Sequence, residues 1–312
     1  MKKVLIFGIN GFVGQYLAKE FLAHEYQVVG SDIQEPEAEK DLFRKIDFFQ
    51  SDLLNAQEVQ HVVEQIQPDM VINLAAISSV GLSWKLPQKT MEVNVIGALN
   101  LLEAVRTCVP GAKVMFIGSS EEYESSDQPM NEETALNANN PYGISKMTQE
   151  LFATLYREKY GMKVYYVRPF NHTGIGQKES FVLPSFCKQV AEIEKSGQSG
   201  VIYTGNLEIY RDFSDVRDVV RAYRMILESE ECSKVYNVGS GEAHGLKDLL
   251  EYLISLSSQK IEIQVSKELF RPADTPRICC DRRYIENELG WKPQYSIFDT
   301  LRDMYEHFLH VE

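Results

Sequence analysis

The sequence predicts a doubly wound α/β fold: a parallel sheet covered by helices on both faces, with a smaller α/β lobe interleaved after it. Three observations carry this prediction. Short, continuously apolar runs alternate with longer amphipathic stretches through the first half of the chain, as strands buried on both faces require. A glycine-rich turn, GINGFVG at 8–14, joins the first such run to the first amphipathic stretch. The regular alternation loosens after Arg168-Pro169, where a second, less regular unit begins.

The elements follow in order. KVLIFG (3–8) is a buried strand, and a helix runs from the glycine turn to about His24. QVVGSD (27–32) and DFFQSD (47–52) are the second and third strands, and 55–66 is a helix. DMVINLAA (69–76) is a nearly continuous apolar strand. Val93, Ile96, Leu99, Leu101, Leu102 and Val105 give 88–108 a helical period. AKVMFIGSS (112–120) is a strand, Pro141 opens a helix over 141–160, and KVYYVRPF (163–170) is another strand. Beyond it, FNHTGIGQ reads as loop and EKSGQSG (194–200) as a linker or turn. Strands VIYTG, VYNVGSG (235–241) and IEIQV follow, with helices near 246–257 and 298–309.

The bulk numbers narrow the function classes. A chain of 312 residues can bury a sizeable core. A net charge of −13 argues against a nucleic-acid surface, which needs a basic stripe. It leaves room for a small anionic ligand, because local arginines and helix N-termini can outweigh the global field. No apolar run approaches the length of a membrane span, and the first apolar run is short and broken by glycine. Five cysteines (108, 187, 232, 279 and 280) lack metal-ligand spacing and suit a reducing cytosol. No cluster of acids and histidines suggests a metal site.

The glycine turn points to a dinucleotide. Gly8, Gly11 and Gly14 allow a tight turn, so that backbone N–H groups of Gly11, Phe12, Val13 and Gly14 can meet a pyrophosphate at the helix N-terminus. Asp32 closes the second strand 18 residues after Gly14. A carboxylate there can take both ribose hydroxyls of NAD and repels a 2′-phosphate. Asp52 and Leu53, at the end of the third strand, are candidates for the adenine edge; otherwise Asp52 starts a turn. These features make the fold Rossmann-type. The expected division is a dinucleotide-binding domain over 1–170, with later returns at about 205–225, and a substrate lobe mainly over 171–312.

Tyr142 and Lys146 supply candidate chemistry. At i and i+4 on one helix, their side chains share a face. Ser119 and Ser120 end a strand whose carboxyl end is where open parallel sheets collect ligands. The ammonium is expected to lower the phenol's pKa, so that Tyr142 exchanges a proton with a substrate oxygen beside the nicotinamide. A serine hydroxyl would hold that oxygen, and Lys146 would also reach the nicotinamide ribose.

These residues, together with NLAA (73–76), Asn94, SSEEY (119–123), RPFNHTGIGQ (168–177), RDFSDVRD (211–218) and RPADTPR (271–277), resemble a family. It is the extended short-chain dehydrogenase/reductases acting on nucleotide sugars, and the GDP-mannose branch in particular: 4,6-dehydratases and GDP-4-keto-6-deoxy-D-mannose reductases. The short length favours the reductases. The resemblance implies a catalytic Ser119, and in Glu121 the position where dehydratases keep a glutamate that removes a proton at C5. It assigns Ala75 and Asn94 to the cofactor, and Ser120, Asn171, Lys188, Arg211 and Arg271 to a GDP-linked sugar. It also implies a homodimer built by the helices at 88–108 and 141–160. The cofactor it implies is NAD(H) on the strength of Asp32, with NADP(H) as the alternative, since related dehydratases carry basic residues at that position. Epimerase chemistry stays open, as does a dinucleotide sensor without catalysis.

Overall fold

The computed structural model describes residues 1–36, 41–230, 235–270 and 275–311. Its centre is a seven-stranded, wholly parallel sheet. The strands are β1 (Lys3–Phe7), β2 (Gln27–Asp32), β3 (Asp47–Gln50), β4 (Met70–Asn73), β5 (Lys113–Ile117), β6 (Lys163–Pro169) and a late arrival, β10 (Val235–Val238). Their spatial order is β10-β6-β5-β4-β1-β2-β3. The order reverses between β1 and β4, so the chain leaves a crevice at their carboxyl ends.

Helices cover both faces, as the continuously apolar strands demand. On one face α1 (Phe12–Ala23) and α8 (Val216–Glu228) bury Leu17, Phe21, Val219 and Tyr223 against Val4, Ile6 and Ile72. On the other, α2 (Ala56–Ile66) and α5 (Gly97–Cys108) bury Val59, Val63, Leu101 and Val105 against Leu5, Val71 and Val114. The chain thus returns to the large sheet through α8 and β10. Residues 210–215, expected within that return, lie instead in a smaller sheet.

That smaller sheet is centred on β9 (Tyr210–Asp215). Parallel β7 (Asn171–Thr173), antiparallel β11 (Ala243–Gly245) and parallel β13 (Arg277–Ile278) pair with it. A separate parallel pair joins β8 (Gly200–Thr204) to β12 (Ile261–Val265). A third core, with Leu183, Phe186, Leu249, Leu253, Leu301 and Met304, unites α7 (Val182–Ser196), α9 (Leu246–Ser255) and α11 (Ile297–His310).

Three boundaries differ from the sequence reading. The segment 88–108 is not one regular helix: α4 (Pro87–Met91) passes through a π turn at Glu92–Ile96 into α5. The wide turn carries Asn94, whose amide bonds Ile77 and Ser145, and such bulges accommodate side chains held by tertiary partners. The proposed linker at 194–200 is the end of α7. Gly197, at φ 65°, closes that helix and Gly200 opens β8. The strand expected to reach Ser120 stops at Ile117, because Ser119 caps a short 3₁₀ turn over Ser120–Glu122.

Candidate active site

The glycine turn is packed so tightly that side chains are excluded. Gly8 has φ 83°, and a Cβ there would stand 2.7 Å from the Ala75 nitrogen. A Cβ on Gly14 would meet the carbonyl oxygens of Gly8 and Ile9 at 2.6 Å. Ala75, just beyond β4, therefore abuts the turn at the crevice between β1 and β4. No side chain caps α1 at Gly11, so its first N–H groups and dipole face outward, as a pyrophosphate requires. Asp32 is held at the end of β2 by main-chain donors: Asn10 at 3.0 Å and Ile33 at 2.8 Å. Glycine cradle, open helix N-terminus and oriented carboxylate together fit a dinucleotide with free ribose hydroxyls. Asp52 uses its carboxylate to accept from the Leu54 amide at 2.9 Å, in the turn before α2. Leu53 is buried against Gly97, and its carbonyl accepts from Asn100.

The second group lies at the end of β5 and the start of α6 (Pro141–Tyr160). Asn140 caps α6 by accepting from the Gly143 amide at 2.9 Å, and Pro141 occupies the first turn. That cap aims Tyr142 and Lys146 inward, and both are buried. The Ser119 hydroxyl lies near enough to the Tyr142 phenol to offset part of its raised pKa, and it accepts from the Glu121 amide at 3.1 Å. Ser120 is buried beside it. Glu121 is tethered too: its Oε2 accepts from Asn140 at 2.9 Å.

The expected electrostatics need one correction. Lys146 does not pull the phenol down. Burial dominates and raises the Tyr142 pKa well above its ordinary value, partly offset by the Ser119 hydroxyl. The ammonium lies 5.9 Å from the phenol ring centre. It donates instead to the Ile117 carbonyl at 2.6 Å and to Gln149 at 3.4 Å. Burial pushes Lys146 itself down to about 8, because its charged form loses water.

Sequence reasoning named Asn94 for the cofactor alone and missed Gln149 and Tyr166, the other supports of this group. Asn94 accepts from the Ile77 amide at 2.8 Å and donates to Ser145 at 2.8 Å, tying the crevice to α6. Gln149 donates to the Asn94 carbonyl at 3.0 Å while facing Lys146. Tyr166 donates to the Lys146 carbonyl at 2.7 Å. Gln149, three residues beyond Lys146 on one helix, could have been found from spacing. Tyr166, across the fold, could not.

The substrate candidates are scattered. Asn171 opens β7 and pairs with Phe213, while Arg211, buried on β9, donates to the Tyr210 carbonyl at 2.8 Å. Lys188 lies on an exposed face of α7, ion-paired with Glu179 at 2.6 Å and Glu192 at 3.7 Å. Arg271 and Cys232 lie outside the described residues. The other four cysteines are free thiols.

With this geometry in place, the chain can be compared with known proteins. The family model described as GDP-mannose 4,6 dehydratase matches residues 5–304. A GDP-6-deoxy-D-mannose reductase of Pseudomonas aeruginosa is 30% identical, over 96% of this chain and 95% of its own. The solved structure of RMD from Pseudomonas aeruginosa complexed with NADPH superposes with a TM-score of 0.86 at 29% identity, covering 99% of each chain. The UDP-glucose 4-epimerase of Thermus thermophilus, complexed with NAD, gives 0.87 at 26% identity, over 99% of this chain and 100% of that one.

Proposed function

The chain belongs to the GDP-mannose 4,6-dehydratase family, within the extended short-chain dehydrogenase/reductases, and from that membership we propose that it is a GDP-sugar reductase. It reduces the C4 ketone of GDP-4-keto-6-deoxy-D-mannose to a GDP-6-deoxyhexose, GDP-D-rhamnose or GDP-6-deoxy-D-talose according to the face presented. The supporting observation is the convergence of Ser119, Tyr142 and Lys146 at the carboxyl end of β5, in a chain that spans nearly the full length of a GDP-6-deoxy-D-mannose reductase.

Gly8, Gly11, Phe12, Val13 and Gly14 would hold the pyrophosphate of the dinucleotide, Asp32 its adenosine ribose, and Ala75 the wall behind it. The adenine would lie toward Asp52 and Leu53, and Asn94 supports the nicotinamide end. When bound, the reduced nicotinamide supplies the hydride that a ketone carbon accepts. Asp32 favours NAD(H); the NADPH named for the Pseudomonas structure keeps NADP(H) in view.

The protein's own part is proton management. The Ser119 hydroxyl holds the ketone oxygen, and Tyr142 donates its proton as negative charge develops there. A raised phenol pKa keeps that proton in place until it is needed. Lys146 orients the nicotinamide ribose. Asn171, Arg211, Arg271 and, more weakly, Lys188 and Ser120 would receive the GDP-sugar, since guanidinium forks suit diphosphate oxygens.

A second reading, GDP-mannose 4,6-dehydratase, is favoured by Glu121, which stands where a C5 base is needed. Its tether to Asn140 weighs toward a positioning role. One assay separates the two. The protein is incubated with GDP-mannose alone, and then with the 4-keto sugar plus NADH or NADPH. Keto-sugar formation without reductant would overturn the reductase reading.

We place the enzyme in the cytoplasm, because the four described cysteines are free thiols, which suits a reducing compartment. We also infer a homodimer. Ile96, Ile144, Leu151 and Leu155 are exposed on the π turn and α6, and Leu151 is 70% exposed. An apolar stripe on these helices suits the four-helix interface expected from the family.

A further inference from the structure

A buried carboxyl group stands directly behind the proton-exchanging residues. Glu122 is completely buried. Its Oε1 accepts from the Ser119 amide at 2.6 Å and lies 3.3 Å from the Tyr166 hydroxyl. That hydroxyl already donates its single proton to the Lys146 carbonyl. That proton reaches Oε1 of Glu122 only as the longer, weaker branch, so Tyr166 does little to compensate a charge there. Oε2 of Glu122 has no hydrogen-bond partner among the described residues. It lies 4.0 Å from Nε of Arg168.

Arg168 is committed elsewhere. It forms a fork with Glu150, at 2.9 Å and 2.6 Å. The fully buried Glu122 and the partly buried Glu150 thus face one guanidinium, and the group left uncompensated holds its proton. Burial first, then the Glu150 charge, push Glu122 up to about 8. The titratable groups around it are Arg168 and Tyr166 from β6, and Tyr142, Lys146 and Glu150 from α6. Its anion raises the pKa of both Lys146 and Tyr142.

We propose that Glu122 is a positioning residue whose charge sets the alkaline edge of the reaction: neutral, it holds the Ser119 main chain; ionised, it keeps protons on Tyr142 and Lys146. The inference rests on the reading of Ser119, Tyr142 and Lys146 as the proton-exchanging group. Reduction needs a protonated phenol. As pH rises, the ionising Glu122 raises the cost of losing that proton, which extends activity upward.

The test pairs kinetics with a readout independent of turnover. Ketone reduction with NADH is followed against pH in the wild type, Glu122→Gln and Glu122→Met. In parallel, the Lys146 Cε resonance is titrated in lysine-labelled protein and assigned by its loss in Lys146→Met. Both Glu122 variants remove the charge, so a folding failure in one leaves the other. The alkaline edge and the Lys146 midpoint should both fall, by on the order of one pH unit or about tenfold in proton affinity, the lower end of what a nearby single charge does to a buried group. Glu122→Asp should restore both. An unmoved Lys146 midpoint overturns the proposal. Normal turnover by Tyr142→Phe would overturn the catalytic reading instead, and the midpoint comparison tells the two failures apart.

Discussion

Replacing Glu122 with Gln should make the protein's stability less dependent on pH, in a direction and size that the burial of this side chain sets. The unfolded carboxyl titrates near 4.5 and the folded one at about 8. Between those values the native protein keeps a proton that the unfolded chain has released. Wild-type stability therefore falls as pH rises through that window, and this group adds no further slope above it. The gap of about 3.5 pH units corresponds to a ceiling of ~5 kcal/mol. The Ser119 amide and the Arg168 guanidinium already lower the folded value, so they take nothing further from this ceiling, and roughly 3–4 kcal/mol of it falls between about pH 5 and about pH 8.5. Gln keeps an acceptor for the Ser119 amide and does not titrate. Urea unfolding of both proteins at about pH 5 and about pH 8.5 measures the effect. The stability of Glu122→Gln relative to wild type should grow by that amount on going to the higher pH, with unchanged m-values. Groups common to both proteins cancel in the subtraction. An equal difference at the two pH values would refute the reasoning.

Three other outcomes are expected. Tyr142→Phe should lower kcat by roughly 10²–10⁴ while dinucleotide affinity, measured by fluorescence titration, stays close to wild type; near-normal turnover would remove Tyr142 from the chemistry. Asp32→Ala should relax the preference from NADH toward NADPH, read as the ratio of kcat/KM values, because it removes a carboxylate that repels a 2′-phosphate; an unchanged ratio would mean that Asp32 does not face the ribose. Leu151→Glu, which puts a charge on the most exposed apolar position of α6, should shift sedimentation from dimer to monomer. A wild-type monomer would sink the interface.

Much of the fold was legible because its signals are local. The strand–turn–helix around Gly8–Gly14 and the apolar runs of β1, β4 and β5 are written in consecutive residues. A parallel sheet needs those runs to be apolar on both faces. The smaller sheet was less visible: β7, β11 and β13 are three, three and two residues long, too short to show a period. Helix α8 was hidden because its first turn sits inside RDFSDVRD, which reads as a charged motif, although Val219, Val220, Tyr223 and Ile226 form a buried stripe. The π turn at Glu92–Ile96 leaves the apolar pattern almost unchanged and is set by the partners of Asn94.

The sequence by itself determined the tight glycine turn of residues 8–14, the acid at Asp32 that closes β2 and the pairing of Tyr142 with Lys146 on one helix face. Each depends on spacing along one turn, strand or helix, and backbone geometry fixes such spacings. Only the tertiary structure decided the protonation energetics. Whether Lys146 or burial governs Tyr142, and whether Glu122 carries a charge, depends on how much water and how many partners remain after folding. The single Arg168 that Glu122 must share with Glu150 comes from a different strand. Desolvation is a property of the assembled interior, which no local run of residues encodes.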